Sequence, residues 1–258
     1  MNDRNNQDNI IATIRKEPSL AGLPEEVHRQ LGRLTDLLIE GQSRMNLTAI
    51  KNVEGIVRYH LADSLTLSPV ISTYSEATNR KNLRIVDIGT GAGFPLLPLA
   101  IIHKGIQWFG VESIGKKAAF VQHVAESLQL DNVTVLNDRA EHVATGEMRE
   151  SFDVMTSRAV GPISSLLEVG LPLLRSGGVA LLFKTEAALS EWKQCRDLLT
   201  TLGGEADSQH QYQLPGDLQN RLILCSRKSR STPMKFPRQN GLPFKKPIVP
   251  SQSTERKS

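Results

Sequence analysis

Hydrophobic and polar positions follow two rhythms along this chain. Between Pro24 and Glu40, Val27, Leu31, Leu34 and Leu38 recur at steps of four, three and four. That spacing is one face of a helix, with Pro24 at a first-turn position and Gly41 as the stop. A second helical stretch, roughly 53–71, carries "GIVRYHLADSLTL". The polar run "STYSEATNRKN" at 72–82 then predicts a linker. Beyond it, short apolar runs alternate with helical segments. Strands are expected at "LRIVDI", "IQWFGVE", "NVTVLN", "FDVMTS" and "GGVALLFK", and near 207–214 and 219–226; helices are expected at 95–104, 115–129, 162–174 and 186–202. This alternation predicts an α/β fold: a Rossmann-like, doubly wound, mostly parallel seven-stranded sheet covered on both faces. The last two strands, joined through "LPGD", predict an antiparallel hairpin at one edge. The expected organisation is a disordered N-terminus (1–9), an N-terminal helical extension (10–75), the sheet domain (82–226) and a basic, proline-rich C-terminal tail (227–258).

Composition narrows the class. With 39% apolar residues in 258, the chain can bury a sizeable core. Its apolar runs are short and broken by Pro, Gly or charge, so no membrane span is expected. "MNDRNNQDNI" lacks the pattern of a secretion signal. Cys195 and Cys225 lie far apart without metal-type spacing, which predicts a reduced, cytoplasmic protein with no metal. The net charge of +4 hides an asymmetry: residues 227–258 hold nine Lys/Arg against Glu255, so the tail is +8 and the rest is −4. Such a tail either touches a polyanion or is a solvated end.

Candidate chemistry centres on "LRIVDIGTGAGFPLLPLA" (83–100). Gly89, Gly91 and Gly93 follow an apolar strand ending in Asp87-Ile88, where a doubly wound sheet binds its ligand. Glu112 stands 19 residues beyond Gly93, the distance expected for a carboxylate that holds ribose hydroxyls. The dinucleotide fingerprint G-x-G-x-x-G fails in both registers, falling on Phe94 or Leu96, and Pro95 removes an N–H that would serve a pyrophosphate. The pattern suits a nucleoside ligand without phosphate, S-adenosylmethionine, with Asp87 and loop carbonyls facing its ammonium and sulfonium charges; the alternative is a structural glycine turn in some other α/β protein.

The motifs "MNLTAI" (45–50), "HLADSL" (60–65), "DIGTGAGFPLLPLA" (87–100), "ESIGKKAAF" (112–120), "DRAE" (138–141), "SRAV" (157–160) and "LPLLRSGG" (171–178) resemble those of one family, and so does the tail segment "KFPRQNGLPFKKPI" (235–248). It is the glucose-inhibited division protein B family, class I S-adenosylmethionine-dependent methyltransferases that methylate N7 of a guanine in bacterial 16S ribosomal RNA. The resemblance implies that Gly89 and Phe94 bound the methionine end and that Glu112, often Asp in the family, holds the ribose. It further implies that Ala140 and Glu141 meet the adenine through the backbone, and that Arg158 lines the catalytic site where cofactor and guanine meet. The implied partner is small-subunit ribosomal RNA or the 30S particle, and a monomer is expected. Two places depart from the family pattern: Tyr59, with Arg58 before it, stands where Arg or Lys is usual, and Lys184 is followed by Thr185.

Guanine N7 carries a lone pair and no proton, so its methylation needs alignment rather than a general base. Ser157-Arg158-Ala159-Val160 is not the Asp/Asn/Ser-Pro-Pro-aromatic motif of exocyclic-amine methyltransferases. Neither cysteine sits where a pyrimidine-C5 enzyme keeps its nucleophile. His60, beside Asp63, is a base or, more commonly for such a residue, a packing or RNA-contact residue. Arg58, Lys116, Lys117 and Lys184 are candidates for RNA phosphates, or solvated surface charges. The likeness of 235–248 implies that part of the tail is ordered against the body, with Arg238, Lys245 and Lys246 aimed at RNA beside the cofactor mouth; Phe236 and Phe244, set among tail Lys/Arg, are candidates for stacking on bases. All cofactor contacts are expected before residue 160. The same fold could instead serve a small molecule or another RNA, or bind RNA without catalysis; the basic tail argues for RNA.

Overall fold

The computed structural model describes residues 2–158, 160–239 and 241–248, with side chains from Asn6 onward. Part of the expected tail, 249–258, lies outside the described residues. In chain order the elements are helices α1 (Asn2–Lys16), α2 (Glu25–Gln42) and α3 (Val53–Ile56), a π-helical stretch (Val57–Ala62), then α4 (Asp63–Leu65) and α5 (Ser68–Thr78). The alternating part follows as β1 (Arg84–Ile88), α6 (Leu96–Ile102), β2 (Gln107–Val111), α7 (Gly115–Ser127), β3 (Val133–Leu136), α8 (Ala140–Val143), β4 (Phe152–Arg158) and α9 (Ile163–Gly170). It closes with β5 (Leu174–Thr185), α10 (Leu189–Gln194), α11 (Arg196–Thr201), β6 (Gly204–Tyr212), β7 (Arg221–Lys228) and α12 (Leu242–Lys245). The expected seven-stranded sheet is present, in the order β3-β2-β1-β4-β5-β7-β6.

The chain divides into two compact units, and the helical extension is not one of them: residues 1–83 fall together with 90–137 and 213–219. In this first unit α1 packs on α2 through buried Ile10, Ile11 and Ile14. A Cβ on Gly32 of α2 would stand 2.9 Å from Ile11 Cγ1, so the glycine sets how closely the two helices approach. The disorder expected for 1–9 is thus corrected: 2–9 are the first turns of α1, and Asn6 donates to Asp36 at 3.1 Å. The apolar residues that anchor α1 lie downstream of the polar stretch, which is why composition alone missed it. The linker expected at 72–82 is also corrected. Its first seven residues complete α5, where Tyr74 and Ile71 are buried and Asn79 ends the helix in the left-handed region. Within the same unit β2 pairs in parallel with β3, and Asn132 donates to the carbonyls of Ala100, His103 and Ile106 at 3.1–3.3 Å.

Among the described residues the second unit holds 84–89, 138–212 and 220–248. Here β1 pairs in parallel with β4, and β4 with β5. The strand order reverses between β1 and β4, with Asp87 opposite Thr156. The expected antiparallel hairpin is β6–β7, with β6 at the edge and β7 bonded to β5. The basic, proline-rich tail expected from residue 227 therefore begins inside the fold. Arg227 and Lys228 end an interior strand, and Leu242–Lys245 is a short helix. No proline interrupts 221–228, so nothing stops the ladder there.

Candidate functional site

In the first unit the chain from Thr90 forms a tight loop. The Thr90 N–H donates to Val111 O at 3.2 Å, and Thr90 O accepts from the N–H groups of Gly93 (2.8 Å) and Phe94 (3.2 Å). Gly91 has φ +59°, a region side chains rarely enter, and its N–H donates to Glu112 Oε2 at 3.0 Å. Glu112 Oε1 accepts from Ile114 N at 2.8 Å, while Asn137 Nδ2 donates to the Glu112 carbonyl at 2.9 Å. The carboxylate is buried, 6% exposed, and fixed by two backbone donors. A carboxylate has about four acceptor positions, so two remain for a pair of hydroxyls.

Phe94 is buried, and the His60 ring stacks on it with centroids 4.7 Å apart. His60 Nε2 lies 2.7 Å from Thr48 Oγ1 in "MNLTAI". Three separate motifs therefore meet at one ring stack. His60 is 8% exposed, which fits the packing role better than an open contact to RNA. Arg58 lies 3.9 Å from Glu17 and lines, with Lys51, Asn52 and Tyr59, a recess of about 710 Å³. Lys116 is exposed and borders a second recess of about 330 Å³ with Arg44 and His123; Lys117 is half-buried. Arg44 and His123 carried no motif of their own, since only the approach of α2 and α7 brings them together.

In the second unit Asp87 is buried at the end of β1, and Ser157 Oγ ties β4 to β1 by donating to Ile88 O at 2.9 Å. A Cβ on Gly89, which has φ +68°, would stand 2.6 Å from Val160 Cγ2. The loops after β1 and β4 therefore touch here, and only glycine lets them do so. Arg158 ends β4 and is partly exposed. Ala140 and Glu141 open α8, both buried, and Glu141 Oε1 accepts from Gly241 N at 2.7 Å.

The basic candidates divide. Lys184 Nζ donates to Gly161 O at 2.8 Å, and burial lowers its pKa, so it holds a loop rather than facing RNA. Arg238 is bonded to buried Glu168, at 2.8 Å from Nε and 2.7 Å from Nη2, a contact that raises its pKa. Lys245 and Lys246 are exposed. Phe236, expected to stack on bases, is buried instead, and Phe244 lies against Gly161. Cys195 and Cys225 are buried thiols, pushed by desolvation up to about 12 and about 11. Neither supplies a thiolate near neutral pH. No described helix is long and apolar enough to cross a membrane.

Within the first unit the donors and acceptors suit the nucleoside part of S-adenosylmethionine: Glu112, an acid with two positions left for ribose hydroxyls, beside a close backbone turn. In this loop the N–H groups of Thr90, Gly91, Gly93 and Phe94 are already taken by protein acceptors, and Pro95 precedes α6, which is only seven residues long.

Comparison with known proteins agrees with this chemistry. The family profile described as GidB, rRNA small subunit methyltransferase G, matches residues 27–220. The ribosomal RNA small subunit methyltransferase G of Leuconostoc citreum is 38% identical over 228 residues, covering 88% of this chain and 93% of that relative. The protein of the same name from Staphylococcus carnosus is 35% identical over 229 residues, with the same two coverages. Among solved structures, an O-methyltransferase from Bacillus cereus in complex with SAH superposes with a TM-score of 0.55 at 16% identity, covering 76% of this chain and 91% of that one. That likeness is one of fold.

Proposed function

The chain belongs to the rRNA small subunit methyltransferase G family, and from that premise we propose that it transfers a methyl group from S-adenosylmethionine to N7 of a guanine in 16S ribosomal RNA, within the cytoplasm. The observation that carries the cofactor reading is the Glu112 carboxylate, fixed by Gly91 N–H and Ile114 N–H with acceptor positions to spare. The bound cofactor supplies an electrophilic methyl on a sulfonium. The protein's part is alignment. Glu112 orients the ribose hydroxyls, Gly89 and Phe94 bound the methionine end, and the backbone at Ala140 and Glu141 meets the adenine. Asp87 balances positive charge, and Arg158, at the end of β4, lines the site where the guanine enters.

The chemistry favours a nucleophile that needs no deprotonation. His60 is spent on Thr48 and Phe94, and both cysteines are protonated near neutral pH. Guanine N7 meets that requirement. Arg58, Lys116, Lys117, Lys245 and Lys246 are the side chains for RNA phosphates, as point charges that position rather than specify. Calorimetry tests the cofactor choice. S-adenosylmethionine and S-adenosylhomocysteine are expected to bind saturably and NAD not at all. Saturable NAD binding without heat from either of the others would overturn the reading.

A further inference from the structure

The tail is held inward by contacts that its +8 charge did not foretell, all within the second unit. Arg149 donates to the carbonyls of Thr232 (2.7 Å) and Phe236 (2.9 Å). Glu168 on α9, with no exposed surface, accepts from Arg238 N at 2.9 Å, Nε at 2.8 Å and Nη2 at 2.7 Å. The same Nη2 reaches Lys246 O at 2.9 Å, which closes the segment on itself. Ser165 Oγ donates to Pro243 O at 2.6 Å. Two further contacts fall on the loops assigned to the cofactor. Gly241 N–H donates to Glu141 Oε1 at 2.7 Å, at the start of α8. The Phe244 ring covers Gly161, three residues beyond Arg158, so closely that a Cβ there would stand 3.0 Å from Cδ1. A buried carboxylate is costly without a partner, and a bidentate guanidinium is its strongest one. One short segment is thus anchored on Glu168 and laid across two loops on its way.

We propose that residues 236–239 and 241–246 act as a strap that positions the loops carrying Glu141 and Arg158, so that docking of the strap and binding of S-adenosylmethionine are thermodynamically coupled. This rests on the cofactor assignment of Ala140, Glu141 and Arg158 made above. Arg238 and Phe244 are positioning residues, acting through Glu168 and Gly161. Coupling is reciprocal: whatever factor the docked strap adds to cofactor affinity, the cofactor adds to strap docking. The direct cofactor contacts remain those assigned before residue 160, and the tail contributes through the loops that carry them.

Hydrogen exchange on the full-length protein, with and without S-adenosylhomocysteine, tests the coupling without a mutation. The strap amides are expected to exchange several-fold more slowly when the ligand is bound. Unchanged strap exchange alongside protection of 89–94 would overturn the strap and leave the cofactor assignment standing; absence of any binding would overturn both. A second arm uses variants. Phe244→Ala is expected to weaken S-adenosylhomocysteine about tenfold, and Phe244→Leu to restore most of that affinity. For both, ribosomal RNA affinity should keep the wild-type salt slope. Weaker RNA binding at unchanged cofactor affinity would make the segment an RNA arm and refute the proposal.

Discussion

Gly91 and Glu112 show how a two-residue relationship can be written in a sequence before any fold is known. The glycine register excluded a pyrophosphate, and the spacing to an acid suggested a ribose. What the sequence did not show is that the acid first serves the protein, by accepting Gly91 N–H and Ile114 N–H. Replacing Gly91 by Val forces a β-branched residue to φ +59° and misdirects the N–H that holds Glu112. Strain of about 1–3 kcal/mol at such a site, added to a lost charge-assisted bond, predicts at least a tenfold loss of S-adenosylhomocysteine affinity with the sheet intact. Calorimetry alongside circular dichroism reads both. Wild-type affinity in Gly91→Val would show that the loop conformation does not matter for the ligand.

Elements were legible wherever one period ran long enough to be read. The strands and the helices around β1 were visible because their apolar runs are bounded by Gly, Pro and charge. The rest was hidden for particular reasons. Helix α1 starts in a polar stretch and is anchored by isoleucines further on; α5 carries its buried Ile71 and Tyr74 among polar neighbours. Lys228 is the instructive case, a tail charge by composition and in fact the buried end of an interior strand. Its Nζ donates to Leu171 O at 2.6 Å and to Thr232 Oγ1 at 2.5 Å, and burial lowers its pKa to about 8. Since the unfolded chain holds this proton up to about pH 10.4, folding releases it between roughly pH 8 and that value. Stability contributed by this residue therefore rises with pH across that window, at up to about 1.4 kcal/mol per unit, and is flat below it. Urea unfolding of wild type and Lys228→Met, compared from pH 7 to 10.5, should show wild type gaining on the variant above pH 8. Parallel profiles would mean that Lys228 keeps an ordinary pKa.

For the whole molecule, charge was the least reliable guide to structure and still a useful one to function. The tail's +8 pointed to a polyanion, yet Lys228, Arg230 and Arg238 spend donors on protein oxygens, while Lys235, Lys245 and Lys246 are exposed. The helical extension is grouped with part of the sheet domain for a similar reason. Long-range packing of α2 on α6 and α7 is not written in local composition. Family motifs survived this because each is tied to a contact: Thr48 to His60, His60 to Phe94, Gly91 to Glu112. The central claim is that these contacts serve methylation of guanine N7 in 16S ribosomal RNA. Its most direct test is mass-spectrometric mapping of 7-methylguanosine in 16S ribosomal RNA from cells with the gene, without it, and complemented with wild type or Gly91→Val. The account predicts one 7-methylguanosine that disappears on deletion, returns with wild type and does not return with the variant. An unchanged set of modified guanines after deletion would contradict it.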